Sequence, residues 1–396
     1  MMMKRLWALL LALTLTLTLL TPALAEDDDD LGEISEEEER TILEMDAIND
    51  DAEARVAEVG PVFEEPTLKD FDLKSTAVYT CRVKDNSYLY AERDIASAHV
   101  CSLSNARTCE ILYVGVNWVI MRWDNKIGYI KRERLESVTA VDPVNTAPYG
   151  VQKATYLATT AETCPVHQSM SDQADSWVVL NPGTMLSIWR VQDGWGIVIY
   201  HRTYGYINMN LLTDLIPVSP TDTPVRADTP IAAYTSYYSM ADNDVNKARL
   251  INIDVGCQRL TRVMAPGESF NFNKQVGPYR KANGYQPAWV LSGGTSRLGY
   301  GGGTCQVSST LYNALMQLPG ITILQRRPHG PSGAKYLPHG VDAAVGNDSL
   351  NLRFRNDYSF PIRVEGHTSY DGALLMVIYR VSDAELAAWQ ADHSAT

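Results

Sequence analysis

The sequence predicts a multidomain protein in which two small all-β barrels precede an α+β domain. Three observations support this prediction. A pattern of short alternating apolar runs around Trp118, typical of strands, recurs around Trp195. A proline-rich stretch follows the second copy and indicates a linker. Beyond it, two segments with helical spacing lie among further alternating runs, which indicates an α+β domain.

The N-terminus predicts a cleavable signal peptide over residues 1–25. Lys4 and Arg5 precede an apolar run at 6–20, and Ala-Leu-Ala at 23–25 is followed by acidic residues. We therefore expect a secreted, cell-wall-associated protein. No other apolar stretch approaches the length of a membrane span, so we expect no stable span after the signal is removed. An uncleaved signal anchor is the alternative.

Acidic charge limits the partners of the chain. The formal net charge is −13, and removing the signal peptide with its two basic residues lowers it to −15. Non-specific nucleic-acid binding takes a basic surface, so we exclude nucleic acid as a partner. Residues 26–39 hold ten acids and no base. Over 26–70 we predict an acidic spacer that is largely disordered or helical.

The six cysteines and seven histidines are scattered along the chain without metal-ligand spacing. We therefore predict no metal site and no cofactor. The spacing of Cys101 and Cys109 allows a local disulfide, and buried thiols are the alternative.

An internal repeat organises the first half of the chain. Residues 117–130 align without gaps onto 194–207, at an offset of 77. The pattern near the end of each copy resembles bacterial SH3-like domains, which we place at 74–138 and 150–217. The resemblance implies modules that hold cell-wall peptide or position a neighbouring enzyme; simple spacers are the alternative. A linker is predicted at 218–232.

The most informative stretch of the C-terminal half is a glycine run that leads into a helix. Gly301 to Gly303 precede Cys305, and helical spacing predicts a helix over 306–317, with another over 246–260. A helix N-terminus favours a thiolate, and its free N–H groups can hold an oxyanion. Cys305 is thus a candidate acyl-transfer nucleophile. A buried apolar cysteine after a tight turn is the alternative.

Several motifs in this half occur in the order of one known family. They lie at 266–273, 276–278, 301–313 and 336–343. In these motifs the stretch over residues 233–381 resembles a VanW domain, named for an accessory protein of glycopeptide-resistance clusters.

The resemblance implies an exported protein of a Gram-positive bacterium that acts on peptidoglycan stem peptides. Some members of the family are regarded as L,D-transpeptidases. Cys305 would attack the third residue of a stem tetrapeptide, release D-Ala and form a 3-3 cross-link to a second stem. His329 matches the family's histidine and is the predicted base, with His339 as the alternative. Asp342 is predicted to orient the histidine or to bind a substrate ammonium.

The residues predicted to bind substrate belong to the same motifs: Gly302, Gly303, Thr304, Gln306, Ser308, Tyr336 and Asn273. Asn271 and Gly330 stand where serine is common in the family, which leaves substrate choice open. Two other functions remain in view. One is a non-catalytic protein that binds peptidoglycan or glycopeptide and is linked to vancomycin resistance. The other is a cysteine carboxypeptidase or endopeptidase, in which water resolves the acyl-enzyme.

Overall fold

A computed structural model describes residues 59–219, 229–292, 295–330 and 333–393. The predicted signal peptide and residues 26–58 of the predicted spacer lie outside the described residues. Within these ranges the protein is mostly β, with several sheets and few helices. No helix among them is long and apolar enough to span a membrane.

The first β module is one antiparallel sheet of seven strands. In β1 every second side chain is buried, so Tyr79, Cys81 and Val83 face the core of the module. The strand order is β3-β2-β6-β5-β4-β1-β7. The strands are β1 (Tyr79–Val83), β2 (Ser87–Tyr90), β3 (His99–Leu103), β4 (Thr108–Val114), β5 (Trp118–Trp123), β6 (Lys126–Lys131) and β7 (Leu135–Ala140).

The second β module repeats the first at the offset found in the sequence. Each of its strands begins 77 residues after its counterpart, from Tyr79 and Tyr156 to Leu135 and Leu212, except that two short strands replace β4. The strands are β8 (Tyr156–Thr160), β9 (Cys164–His167), β10 (Ser176–Leu180), β11 (Met185–Ile188), β12 (Arg190–Gln192), β13 (Trp195–Tyr200), β14 (Thr203–Asn208) and β15 (Leu212–Pro217).

The strand order of the second module is the same, but its sheet is divided. One sheet runs β10-β9-β14-β13-β12 and the other β11-β8-β15, with the break where β11 and β12 replace β4. The repeat seen in the sequence is therefore a repeat of structure. That each module is an SH3-like barrel stays a prediction.

The segment before β1 differs from the predicted disordered or helical spacer. Residues 59–71, here called the N-terminal strap, run across both β modules and contain one short 3-10 turn at Leu68–Asp70. Phe63 packs in the second module, and Leu68 and Phe71 pack in the first. Packing against the two modules thus holds this part of the chain in place.

The C-terminal domain combines helices with three small sheets, in the orders β16-β24-β23-β17, β18-β22-β21 and β19-β20. Its helices are α1 (Asp244–Leu260), α2 (Phe272–Val276), α3 (Thr304–Leu315) and α4 (Asp383–His393). Its strands are β16 (Thr229–Tyr237), β17 (Arg262–Met264), β18 (Ser269–Asn271), β19 (Pro287–Ser292), β20 (Thr295–Tyr300), β21 (Ile321–Gln325), β22 (Arg353–Asn356), β23 (Ile362–Thr368) and β24 (Ala373–Arg380). The sequence did not predict α4, and residues 229–232 of the predicted linker belong to β16.

Both faces of the four-stranded sheet are covered, which explains the continuous apolar run of β24. Leu374, Met376 and Ile378 face the core that includes α1 and α3. Leu375 and Val377 face the opposite way and pack with Leu157 of the second β module. Because successive side chains of a strand alternate, a strand covered on both sides needs apolar residues at every position.

All six cysteines have free thiols in the described structure. Cys81, not Cys101, lies opposite Cys109 on neighbouring strands. The local disulfide considered between Cys101 and Cys109 is therefore absent, and Cys109 is a buried thiol of the core.

Candidate active site

Cys305 lies in the first turn of α3, as the glycine run predicts. Gly303 caps this helix with φ of +107°, a conformation that favours glycine. A side chain at this position would also come within 3.0 Å of the Arg249 carbonyl oxygen on α1. The glycine therefore lets α3 begin close against α1, with the half-buried Cys305 thiol at its open end.

A loop that runs along α3 carries the predicted acid. Asp342 lies in this loop, whose backbone is held by polar side chains of the helix. Ser308 donates to the Ala343 carbonyl at 2.6 Å, Ser309 accepts from the Ala343 N–H at 2.9 Å, and Asn313 donates to the Val341 carbonyl at 2.7 Å. The polar face of α3 thus fixes the position of Asp342, which is 1 % exposed.

His329 and Asp342 form a doubly bonded pair. The His329 backbone N–H donates to Asp342 Oδ2 at 2.6 Å, and His329 Nδ1 lies 2.7 Å from the same oxygen. Burial alone would raise the pKa of Asp342, but the hydrogen bonds from His329 and the charges of His329 and Arg326 lower it. The carboxylate is therefore charged at neutral pH and holds the imidazole in one orientation.

Cys305 also interacts with His329, and its thiol donates to the Val345 carbonyl at 3.5 Å. Since Nδ1 faces Asp342, Nε2 is the ring nitrogen left for the thiol. Burial opposes the charged imidazole, but the hydrogen bonds and negative charges of Asp342 and Cys305 outweigh it and raise the pKa of His329 to about 10. The structure thus brings the three predicted catalytic residues together in the order Cys305, His329, Asp342.

Two further residues of this site escaped sequence analysis. Arg326 donates to the Asp342 carbonyl at 2.6 Å and to the Gly340 carbonyl at 2.9 Å, and its Nη2 lies 3.3 Å from Asp342 Oδ1. The Val345 N–H points at the Cys305 sulfur, at 3.5 Å. The Arg-Arg-Pro-His run at 326–329 could have drawn attention to Arg326. A backbone N–H leaves no such signal.

A cavity of about 520 Å³ opens at Cys305. Gly302, Gly303, Thr304 and His329 line it beside the thiol, and Trp289 and Arg297 of the β19–β20 hairpin form the opposite wall. Cavities of this size hold small molecules or short peptide segments. The thiol, the imidazole and the start of α3 are thus accessible to one ligand.

The other predicted substrate-binding residues have structural partners. Gln306 donates to Ser236 Oγ and to the Tyr237 carbonyl, each at 2.9 Å, and Ser308 holds the Asp342 loop. Asn273 donates to the Asn347 and Leu350 carbonyls at 2.7 and 2.9 Å. None of the three lines the Cys305 cavity in the described structure. Their amide and hydroxyl groups hold the walls of the site, and their contact with substrate stays a prediction.

Tyr336 and Gln306 face a second cavity, of about 510 Å³, between the C-terminal domain and the second β module. Trp177 and Tyr200 of that module also line it. Tyr336 reaches α3 through a 3.4 Å hydrogen bond to Ser309. It is not among the residues that line the Cys305 cavity, although burial and the negative charges of Cys305 and Asp342 raise the pKa of its hydroxyl.

The structure distinguishes the two candidate histidines. His339 is 8 % exposed and is not among the residues that line the Cys305 cavity, whereas His329 bonds both Cys305 and Asp342. Asn271, which stands where serine is common, caps α2 by accepting from the Lys274 N–H at 3.1 Å. Among the described residues no group of three His, Cys, Asp or Glu side chains is arranged to hold a metal.

Comparisons with known proteins agree with the motifs. The family described as "VanW like protein" matches residues 248–379. YoaR of Bacillus subtilis (strain 168), an uncharacterized protein, is 36 % identical over 150 residues, which are 38 % of this chain and 47 % of YoaR. Vancomycin B-type resistance protein VanW of Enterococcus faecalis (strain ATCC 700802 / V583) is 29 % identical over 117 residues, which are 28 % of this chain and 41 % of VanW.

The chain thus spans less than half the length of either curated relative. Among solved structures, NlpC1 of Trichomonas vaginalis aligns over 81 % of this chain and 99 % of its own, with 12 % identity and a TM-score of 0.15. A TM-score this low carries no argument about fold or activity. The family match, the two relatives and the motifs around Cys305 agree that the C-terminal domain of this chain is a VanW-like domain.

Proposed function

We propose that the chain is a secreted cell-wall protein and that its VanW-like domain is a peptidoglycan L,D-transpeptidase. The observation that supports the reaction is the arrangement of Cys305, His329 and Asp342 beside a cavity of about 520 Å³, with His329 Nδ1 2.7 Å from the Asp342 carboxylate. The name of the VanW relative, a vancomycin resistance protein, supports the cell wall as the setting. Thiol, base and orienting carboxylate are the parts that covalent acyl transfer needs.

In the first half-reaction the Cys305 thiolate attacks the carbonyl carbon of the third residue of a stem tetrapeptide. His329 takes the proton of the Cys305 thiol, and the raised pKa of His329 favours the protonated ring that results. When the tetrahedral intermediate collapses, the carbon–nitrogen bond breaks, His329 gives its proton to the leaving amine of D-Ala, and a thioester remains on Cys305.

Two backbone N–H groups are placed to hold the oxyanion. Cys305 N–H lies in the first turn of α3, where it has no partner within the helix, and no backbone bond to it appears in the described structure. The Val345 N–H lies 3.5 Å from the sulfur. Backbone donors near the attacking atom stabilise the charge that develops on the carbonyl oxygen.

In the second half-reaction the neutral side-chain amine of another stem attacks the thioester. His329, now neutral, takes the proton of that amine, the carbon–sulfur bond breaks, and the new amide is the 3-3 cross-link. Asp342 keeps Nδ1 occupied throughout, so Nε2 faces the reacting atoms. If water attacks instead, the product is a tripeptide, and the same residues make a carboxypeptidase.

Mass spectrometry of a disaccharide-tetrapeptide incubated with residues 26–396 tests this proposal. We expect a dimer that has lost one D-Ala, and no dimer with the Cys305→Ala protein. Cys101→Ala is the matched control, because Cys101 is the other half-buried cysteine of the described chain and lies in the first β module. It should leave the product unchanged.

Other products would change the assignment. Tripeptide alone, formed only with the intact cysteine, would make the protein a carboxypeptidase. An unchanged tetrapeptide that binds equally well to the wild-type and Cys305→Ala proteins would refute catalysis and favour the binding-protein function.

A further inference from the structure

The N-terminal strap lies on two surfaces that the repeat makes equivalent. The first surface is formed by Leu112, Trp118, Ile120, Ile127 and Tyr129, and the second by Trp189, Trp195, Ile197, Tyr204 and Tyr206. Each residue of the second set lies 77 positions after its counterpart in the first. The two modules therefore present equivalent apolar surfaces, which share aromatic rings at Trp118 and Tyr129 in the first and at Trp195 and Tyr206 in the second.

Successive stretches of the strap cover these surfaces. Leu68 and Phe71 pack on the first. Phe63 packs on the second, where its ring meets Trp189 and Tyr204 edge-on at centroid distances of 5.2 and 5.1 Å. Edge-to-face contacts at this spacing are favourable, so each surface provides an apolar slot for a bulky side chain.

The backbone of the strap is bound in the same way at both slots. Leu68 N–H donates to the hydroxyl of Tyr129 at 3.1 Å, and Phe63 N–H donates to the hydroxyl of Tyr206 at 2.7 Å. Tyr129 and Tyr206 are equivalent positions of the repeat. The modules thus bind two parts of the strap through tyrosine hydroxyls at equivalent positions.

Between the slots, the modules enclose a carboxylate of the strap. Glu65 accepts from the Val116 N–H of the first module at 3.0 Å and from the Tyr204 hydroxyl of the second at 2.6 Å. Arg93 lies 3.3 Å from the same carboxylate, whose side chain is 11 % exposed. Three donors around one carboxylate form a built pocket for an acidic group.

The strap is held by ring contacts and scattered hydrogen bonds, such as those from the Met170 N–H to the Pro61 carbonyl and from Arg93 to the Pro66 carbonyl. None of its residues is fully buried, and in the described sheets it pairs with no strand. Segments with few buried contacts and no ladder of backbone hydrogen bonds open at low free-energy cost. The contacts therefore resemble those of a bound peptide more than those of a core element.

We propose that the two aromatic slots and the Glu65 pocket form one peptide-binding site, which the strap occupies exchangeably from within the same chain. The site selects an extended peptide in which an acidic residue lies between bulky apolar side chains, as Glu65 lies between Phe63 and Leu68. While the strap is bound, the site is closed to other peptides of this kind.

The test uses the full chain with a specific protease site inserted in the exposed turn at Leu73–Lys74, and a fluorescent synthetic peptide of residues 59–72. After cleavage, the peptide should exchange with the cut strap and raise fluorescence anisotropy. On the uncut chain, the same signal should need at least ten times more protein. Two outcomes would overturn the proposal, because each would show that the strap is a fixed part of the fold. In one, the strap stays bound after cleavage; in the other, the cut chain loses its thermal unfolding transition.

Variants of the peptide test the pocket without changing the fold of the protein. Glu65→Gln should weaken binding at least tenfold, whereas Glu64→Gln, at the exposed neighbouring position, should bind like the wild-type peptide. Equal binding of the two variants would overturn the assignment of the pocket. In the uncut chain, hydrogen exchange should be faster at the Phe63 and Leu68 amides than in β6 and β14, and equally slow exchange would overturn the proposed exchangeability.

Discussion

Cys305 and Cys257 lie in one domain, on two helices that pack against each other, yet their surroundings are opposite. Cys257 is 2 % exposed on α1 and belongs to the apolar core, and burial raises the pKa of its thiol. Cys305 is half-buried at the open end of α3, bonded to His329 and facing the Val345 N–H.

The difference teaches that the position within the helix decides what a thiol can do. A cysteine in the body of a helix meets only side chains and helix-bonded backbone, so it packs as a small apolar group. In the first turn it meets free N–H groups and whatever a neighbouring loop supplies. Here that loop supplies Asp342 and Val345, and α3 itself holds it in place.

Replacing the reactive thiol should have the largest effect on activity. We expect Cys305→Ala to lower transpeptidation at least ~1000-fold, because no other group can form the thioester. The unfolding free energy should change by less than about 0.5 kcal/mol, since the thiol is half-buried. Product yield by mass spectrometry and urea denaturation measure the two quantities. A variant that retains activity would remove Cys305 from the mechanism.

Removing the imidazole should have the next largest effect. We expect His329→Gln to lower the rate about 100- to 10,000-fold, the range for loss of a general acid–base. Iodoacetamide should label Cys305 faster than Cys101 in the wild-type protein, although both are half-buried, and the difference should shrink in the variant. Peptide mapping of the labelled cysteines gives both rates. Equal labelling of the two wild-type cysteines would contradict an activated thiol.

Cys257→Ser should reverse the pattern seen for Cys305. The hydroxyl would be buried among apolar groups, so we expect a loss of about 1–3 kcal/mol in unfolding free energy. Activity per folded molecule should stay near wild type. Chemical denaturation together with the product assay separates the two effects, and a loss of activity without a loss of stability would mean that Cys257 also serves the site.

The charge of His329 gives the smallest expected effect, a dependence of stability on pH. Its pKa is raised from 6.5 to about 10, so its stabilising contribution is fully present below pH 6.5 and is lost as pH rises toward 10. The pKa of Asp342 is lowered, so this carboxylate stays charged across that window. The difference in unfolding free energy between wild type and His329→Gln should fall by at least about 1 kcal/mol from pH 6 to pH 10. Urea titrations at several pH values measure this difference in unfolding free energy. A difference that rises with pH would contradict the charged pair of His329 and Asp342.

Local sequence patterns predicted the elements that depend on neighbours along the chain. The glycine run before α3 needs only Gly303 and the helical spacing after it, and the repeat of 77 is visible in Trp118 and Trp195. The contact between His329 and Asp342 was predicted from the family resemblance and not from a local pattern. The two residues come from loops that meet only in the folded domain.

What the sequence did not predict depends on distant partners. Family motifs predict substrate contacts for Gln306 and Asn273, but they do not reveal the carbonyl groups that these amides hold in the folded domain. The strap lies next to a run of acids that favours disorder, and only the two aromatic surfaces give Phe63 and Leu68 a place to pack. Val345 contributes through its backbone, which any residue type possesses.

The apolar contact between the second β module and the four-stranded sheet limits how this protein can be divided. Dividing the chain between β15 and β16 into separate proteins would part Leu157 from Leu375 and Val377, and would leave the carboxylate of Asp371 without the Asn181 N–H that it binds at 2.8 Å. The VanW-like domain is therefore not freely transplantable by recombination. A recipient protein would have to supply new apolar side chains to cover β24. We therefore expect the second module and this domain to be inherited together.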